Sequence, residues 1–305
     1  MFCDLRMGLK TFMAVYLSVI IAVSTFIVVA PRLQTQNEAA FTNHFSVVWM
    51  GFMPLNPSYP NQYPDYIICI NNVLSDPLVM NIALQIKNQE DKGYYFKIGP
   101  YGSQPSGWSL PNVPLGFVDV DQTLTFAYQP TRTKPTSIAD GVLTESINIL
   151  VSAYFDSGLT NLYSEDNFTV TFKFIDRLSN VWSTVYYDNF DDGTSQGWSA
   201  SSSSTSSDYY RSFPYSLKFS SYAQKSFSVA AGYSEAYLIF SLRGGFSNNF
   251  NVKFNGVTYF RPDVTPQNNV WYQFAIPVPI GQSTTIRLEN LYSYSYLDEI
   301  YLIAK

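Results

Sequence analysis

At 305 residues the chain is long enough to bury the cores of about two domains. It is 46% hydrophobic and 17% aromatic with 13% charged residues, which excludes a disordered chain, since disorder needs low hydrophobicity and high charge. The formal net charge of -5 comes with no cluster of Lys and Arg, so there is no electrostatic footprint for nucleic acid.

The first element in chain order is the uncharged run Thr11 to Ala30, about the length of a helix that crosses a hydrocarbon core of roughly 30 Å. Arg6 and Lys10 precede it and Arg32 is the nearest basic residue after it. The positive-inside rule then predicts a cytoplasmic tail (1–10), a transmembrane helix (11–31) and an extracellular remainder at the cell membrane. A cleaved signal peptide is the alternative, because Val28 and Ala30 suit a small-residue cut. Pro31 and a run longer than the usual ~7–15 residues favour a retained anchor. Cys3 and Cys69 fall on opposite sides of that membrane, which leaves no intramolecular disulfide, and Cys69 reads as a small buried hydrophobe. His44 is the single histidine, so metal sites built on Cys or His, and triads of the Ser-His-Asp or Cys-His kind, have too few members.

Residues 32–44 read as a polar stalk. From Phe45 onward the hydrophobic pattern has period two, which predicts an all-β protein. Strands are expected at Phe45 to Phe52, Tyr66 to Asn71, Ile82 to Lys87, Tyr94 to Ile98, Gly116 to Val120, Leu124 to Tyr128, Ile147 to Phe155 and Phe168 to Phe174. Pro- and Gly-rich breaks at Met53 to Pro64 and Pro100 to Pro114 separate them. About eight such strands fit an immunoglobulin-like β-sandwich over 45–176, without the Cys-Trp-Cys signature of antibody domains. Asn167-Phe168-Thr169 is the one N-glycosylation sequon, so Asn167 is the expected acceptor on an outward-facing domain. The linker 177–184 lacks a Gly/Ser spacer, which predicts two closely coupled domains.

The region 185–305 continues in strands near Ser216 to Ser220, Gln224 to Val229, Ala236 to Leu242, Phe250 to Phe254, Trp271 to Ile276, Thr284 to Glu289 and Leu297 to Ile303. Asn255-Gly256 between alternating segments is the strongest hairpin signal in the chain. The run Ser199 to Ser207 reads as a solvated edge strand or loop.

Asp188-Asn189-Phe190-Asp191-Asp192-Gly193, Gly197-Trp198, Tyr215 to Phe219, and Leu297-Asp298-Glu299-Ile300-Tyr301-Leu302 resemble the opening, an early strand and the last strand of carbohydrate-binding modules of the galactose-binding-like fold. The resemblance covers Asp188 to Lys305 and implies a jelly roll that binds a glycan. It also implies a structural calcium at Asp191 and Asp298, flanked by Asp188 and Asp192; the alternative is acidic turn residues that face water. Trp198 and Trp271 match framework positions and are expected in the core. Stacking faces for a sugar then come from Tyr209, Tyr210, Tyr259 and the alternating Tyr292, Tyr294 and Tyr296, with Arg243 and Arg261 as donors to hydroxyls or acidic sugars. A tyrosine ladder on a solvated sheet is the plainer account, since Tyr favours strands whatever its function.

Paired acids such as Asp191, Asp192, Asp298 and Glu299 are the raw material of a glycosidase, but the expectation is a non-catalytic, membrane-anchored extracellular protein whose partners are a cell-surface polysaccharide and the membrane. The rival is a structural, self-assembling cell-envelope or filament protein, because exported β-proteins rich in Tyr, Asn and Ser resemble archaeal surface-layer and thread proteins.

Overall fold

The computed structural model describes residues 38–39, 45–49, 52–54, 66–72, 76–202, 204–244, 250–262, 267–290 and 294–305, with only the backbone described at 38–39, 45–49, 52–54, 72 and 259–262. The expected membrane helix 11–31 lies outside the described residues, as does most of the stalk. Among the described residues the regular structure is β-strand, apart from short 3-10 turns at Ile70–Asn72 and Ala139–Gly141. The described part of the chain is all-β and built as sandwiches.

In the first sandwich, Leu162–Ile175 and Val142–Tyr154 form a long antiparallel pair. Phe168, Val170, Phe172 and Phe174 are buried, as are Ile147, Ile149, Val151 and Ala153 opposite them, so the period-two pattern is the core face of a half-buried sheet. Tyr94–Pro100 and Val113–Val118 extend this sheet on one side, and Tyr66–Cys69 adds in parallel to Leu162–Ile175 on the other. Phe155, expected to continue the buried row, is exposed. The strand ends at Tyr154 after a register irregularity that breaks the alternation. The facing sheet has Ile82–Asn88 between Phe45–Trp49 and Thr123–Tyr128, and it buries Ile82, Leu84 and Ile86.

The second sandwich has two sheets. The junction sheet runs Ser204–Ser206, Ser216–Phe219, Ser295–Ala304, Ala236–Gly244, Trp271–Pro277, with Ser183–Asp188 also paired to Ser295–Ala304. The outer sheet runs Ser199–Ala200, Tyr222–Val229, Gln282–Glu289, Asn251–Phe254, Val257–Pro262, Phe52–Pro54. Asn255 and Gly256 have φ of 49° and 86°, the left-handed pair that a type I′ hairpin requires. The serine run supplies a short edge strand to each sheet. Phe52–Pro54 departs from expectation: part of the predicted break Met53 to Pro64 pairs with Val257–Pro262 across the boundary drawn at 176. An edge position tolerates Pro54, which has no N–H for a ladder.

The two central strands of the junction sheet, Ser295–Ala304 and Ala236–Gly244, are buried on both faces. The sheet's inner side chains, among them Leu238, Phe240, Leu242, Phe274 and Leu297, meet the outer sheet, while Tyr237, Ile239, Tyr301 and Ile303 pack on Ile67, Cys69, Ile175 and Trp182. Each fully buried Ile is worth about 1.5–3 kcal/mol, so the first and second sandwiches share an apolar seam. At its rim Glu235 accepts ion pairs from Lys173 at 2.9 Å and Lys305 at 2.6 Å, and both ammonium groups lie over the Trp182 ring. Despite its burial, the Glu235 carboxyl is held at about 2 by hydrogen bonds from Lys305, Tyr237 and Lys173. Two-sided burial also explains why Ala236–Gly244 and Ser295–Ala304 read as apolar runs.

Candidate functional site

Cross-strand register places Lys218 opposite Tyr296, Tyr296 opposite Arg243, and Arg243 opposite Trp271. Their neighbours Leu217, Leu297, Leu242 and Tyr272 are buried in the core, so the row stands on the opposite face of the junction sheet, at one end of it. Tyr209, from the turn that precedes Ser216–Phe219, completes the cluster. The Arg243 guanidinium carbon lies 3.5 Å from the Tyr209 ring centroid, and Tyr209 meets Tyr296 edge-on at 5.0 Å. The Lys218 ammonium is 4.9 Å from the Tyr294 ring and 5.6 Å from that of Tyr296. Tyr294 and Tyr296 thus share one side, as their alternation predicts. Tyr209 and Tyr294 remain 45% and 54% exposed, whereas Tyr296 is 9% exposed and forms the floor. Tyr210 packs edge-on against Phe213, and Phe213 is 71% exposed.

Two cations serve this face differently. Lys218 pairs with Asp208 at 3.1 Å, and that bond is the leading cause holding its ammonium above the ordinary lysine range. Arg243 donates from Nε to the Asn269 carbonyl at 2.8 Å and has no carboxylate partner among the described residues.

The turn that carries Tyr209 and Tyr210 is held by Asp298. One carboxylate oxygen accepts the backbone N–H of Arg211 at 2.6 Å and of Ser212 at 2.9 Å; the other accepts the Ser212 hydroxyl at 2.9 Å and the Glu299 N–H at 2.7 Å. Asp298 is fully buried, and burial raises its carboxyl to about 6 against the opposing pull of these donors. Glu299, also buried and raised by burial to about 7, lies 3.6 Å from Arg211.

This arrangement does not fit the expected calcium. A carboxylate offers about four lone-pair sites, and all of those on Asp298 face donors. Asp188 accepts from the Tyr186 hydroxyl at 2.6 Å and the Phe190 N–H at 2.9 Å. Asp192 accepts the N–H and hydroxyl of Thr194, and Asp191 accepts from the Asn189 side chain. Among the described residues no group of three or more acids, histidines or cysteines is placed to hold a metal. Asp188 and Asp298 are not water-facing turn residues either, since both are buried. Ser212 stands between the opening turn and the last strand instead: its hydroxyl donates to Asp298 at 2.9 Å and lies 3.5 Å from the Asn189 carbonyl.

The other expected residues are dispersed. Tyr259 and Arg261 lie in Val257–Pro262 with their side chains outside the described residues, and Tyr292 is outside them altogether. Asn167 is exposed on Leu162–Ile175. Trp198 is core as expected, but Trp271 is half-buried, because Tyr272, Phe274 and Ile276 take the inward positions of its strand. With Arg211, Gln273 and Glu299 it borders a cavity of about 30 Å³, room for on the order of one or two waters and not for a sugar.

A second polar face escaped notice in the sequence. On the exposed side of the outer sheet, Arg287 lies 3.8 Å over the Tyr222 ring and reaches Gln224, its cross-strand partner. Glu289 accepts ion pairs from Arg287 and Lys253, both at 2.6 Å. The only sequence signal is that these residues occupy the polar phase of three strands separated by long stretches of chain. The two basic groups on this face share the single Glu289 carboxylate.

No protein-family model and no curated protein matches the sequence. Among solved structures, the chain is similar to the CBM22-1 xylan-binding domain of a Paenibacillus barcinonensis protein, at 17% identity and a TM-score of 0.31 over 40% of this chain and 94% of that one. A CBM61 module in complex with β-1,4-galactotriose matches at 14% identity and a TM-score of 0.29, over 38% and 94%. An exo-β-1,3-galactanase from Phanerochaete chrysosporium matches at 11% identity and a TM-score of 0.31, over 85% and 79%.

Proposed function

We propose that residues 185–305 form a jelly-roll carbohydrate-binding unit, carried outside the cell on an immunoglobulin-like sandwich behind a retained membrane anchor, and that the protein holds a glycan without transforming it. The observation that carries this is the gathering of Tyr209, Tyr294, Tyr296, Lys218 and Arg243 on one face, with two tyrosine rings open to solvent. Sugars bind by laying their C–H faces on aromatic rings while nearby donors fix their hydroxyls. Two exposed rings contribute a few kcal/mol together, which corresponds to about millimolar to micromolar affinity. The test is a glycan array probed with the full chain in detergent micelles, followed by Tyr209→Ala. Binding that drops at least several-fold in the variant supports the proposal. If no glycan on the array is retained and none shifts the protein at millimolar concentration, the structural, self-assembling role takes its place.

A further inference from the structure

We propose that the glycan taken by this face is acidic, and that Arg243 receives its carboxylate or sulfate group; this rests on the glycan-binding function proposed above. Arg243 is fixed before any ligand arrives. Its guanidinium carbon lies over the Tyr209 ring, 3.5 Å from the centroid, and its Nε is committed to the Asn269 carbonyl, so little side-chain freedom remains to be lost on binding. Its terminal N–H groups have no acceptor among the described residues and are not buried. A guanidinium with a free edge matches the spacing of a carboxylate or sulfate and binds it through charge-assisted hydrogen bonds.

Charge pairing elsewhere sharpens the contrast. Arg287 on the outer sheet also lies over a tyrosine, yet Glu289 holds it at 2.6 Å. Arg211 has Glu299 at 3.6 Å, Lys253 has Glu289, and Lys218 has Asp208. Arg243 alone of these stacks on a ring without a carboxylate among the described residues, in a chain of net charge -5. The overall negative charge opposes an acidic ligand only weakly, because screening limits it to about 8 Å at physiological ionic strength.

The test is binding of the full chain in micelles to polygalacturonate, hyaluronan, heparan sulfate and sialylated oligosaccharides beside neutral xylan, galactan and cellulose oligomers. The expected result is retention of an acidic member, at least tenfold weaker binding of its carboxyl-reduced or desulfated form, and loss of that preference in Arg243→Gln with a melting temperature lowered by no more than a few degrees. Arg287→Gln should keep the preference. Retention of neutral glycans alone, or equal binding of the acidic and neutralised forms, overturns the acidic assignment while glycan binding stands. Loss of the preference in Arg287→Gln rather than Arg243→Gln overturns the placement at Arg243. Retention of nothing on the panel overturns both the assignment and the function beneath it.

Discussion

Replacing Asp298 should uncouple the tyrosine-bearing turn from the last strand. In Asp298→Ala the N–H groups of Arg211, Ser212 and Glu299 and the Ser212 hydroxyl lose their acceptor. A buried donor left unsatisfied costs about 1–3 kcal/mol, and partial rehydration of the turn recovers some of this. A loss of about 3–5 kcal/mol is expected. Asp298→Asn keeps one acceptor oxygen for Arg211 and Ser212 but turns an amide N–H₂ toward the Glu299 N–H, so its cost should be smaller, about 1.5–3 kcal/mol. For a body of this size each kcal/mol moves the melting temperature by about 2–4 °C. The assay is a thermal melt of wild type and both variants, with hydrogen exchange at Arg211 and Ser212 as the local readout. Both amides should exchange faster in the variants, and Tyr209 should lose its fixed place beside Tyr296. If Asp298→Ala melts within 1 °C of wild type and the two amides keep their protection, Asp298 does not hold the turn.

Glu299 binds its proton more tightly folded, at about 7, than at its ordinary value of 4.5, because it is buried. Stability should therefore fall as pH rises from about 4.5 through 7, giving a higher melting temperature at pH 5 than at pH 8, and a flatter profile in Glu299→Gln; a melt that rises over this range contradicts the burial of Glu299. Because the donors on Asp298 leave no site for a cation, a chelator should leave the melting temperature unchanged, and a drop of several degrees reversed by calcium would show a metal site in the folded protein. Tyr294 is more than half exposed, so Tyr294→Ala should weaken glycan binding and leave stability within about 0.5 kcal/mol, as titration and melting of the same sample can check. Mass spectrometry of the membrane-extracted protein should find the Thr11 to Ala30 segment retained; a chain starting at or after Pro31 would show cleavage.

Much of the fold was legible where one face of a strand meets water. Phe168 to Phe174 and Ile147 to Ala153 alternate because one side is core, and Asn255-Gly256 marks its hairpin because few residues accept two positive φ angles in succession. Period two fades where both faces are covered, so Ser295–Ala304, buried throughout, gave no hint of which side met the first sandwich. Trp271 was misplaced for a related reason: a bulky aromatic is expected in a core, but Tyr272 and Phe274 took the inward phase. Tyr209, Arg243, Tyr294 and Tyr296 were identifiable as residue types suited to sugars. Their meeting depends on register across Ser216–Phe219, Ser295–Ala304 and Ala236–Gly244, which no local pattern encodes. The same holds for Tyr222, Arg287 and Glu289, and for Asp298, whose partner Ser212 lies 86 residues earlier in the chain.

The most direct test of glycan binding at the Tyr209 face is an NMR titration of the full chain in micelles, with ¹³C-labelled tyrosine rings, against a glycan retained on the array. Saturable shifts at the rings of Tyr209, Tyr294 and Tyr296, with Tyr222 unmoved, are the predicted result. Shifts confined to Tyr222, or no tyrosine shift at saturating glycan, would contradict it.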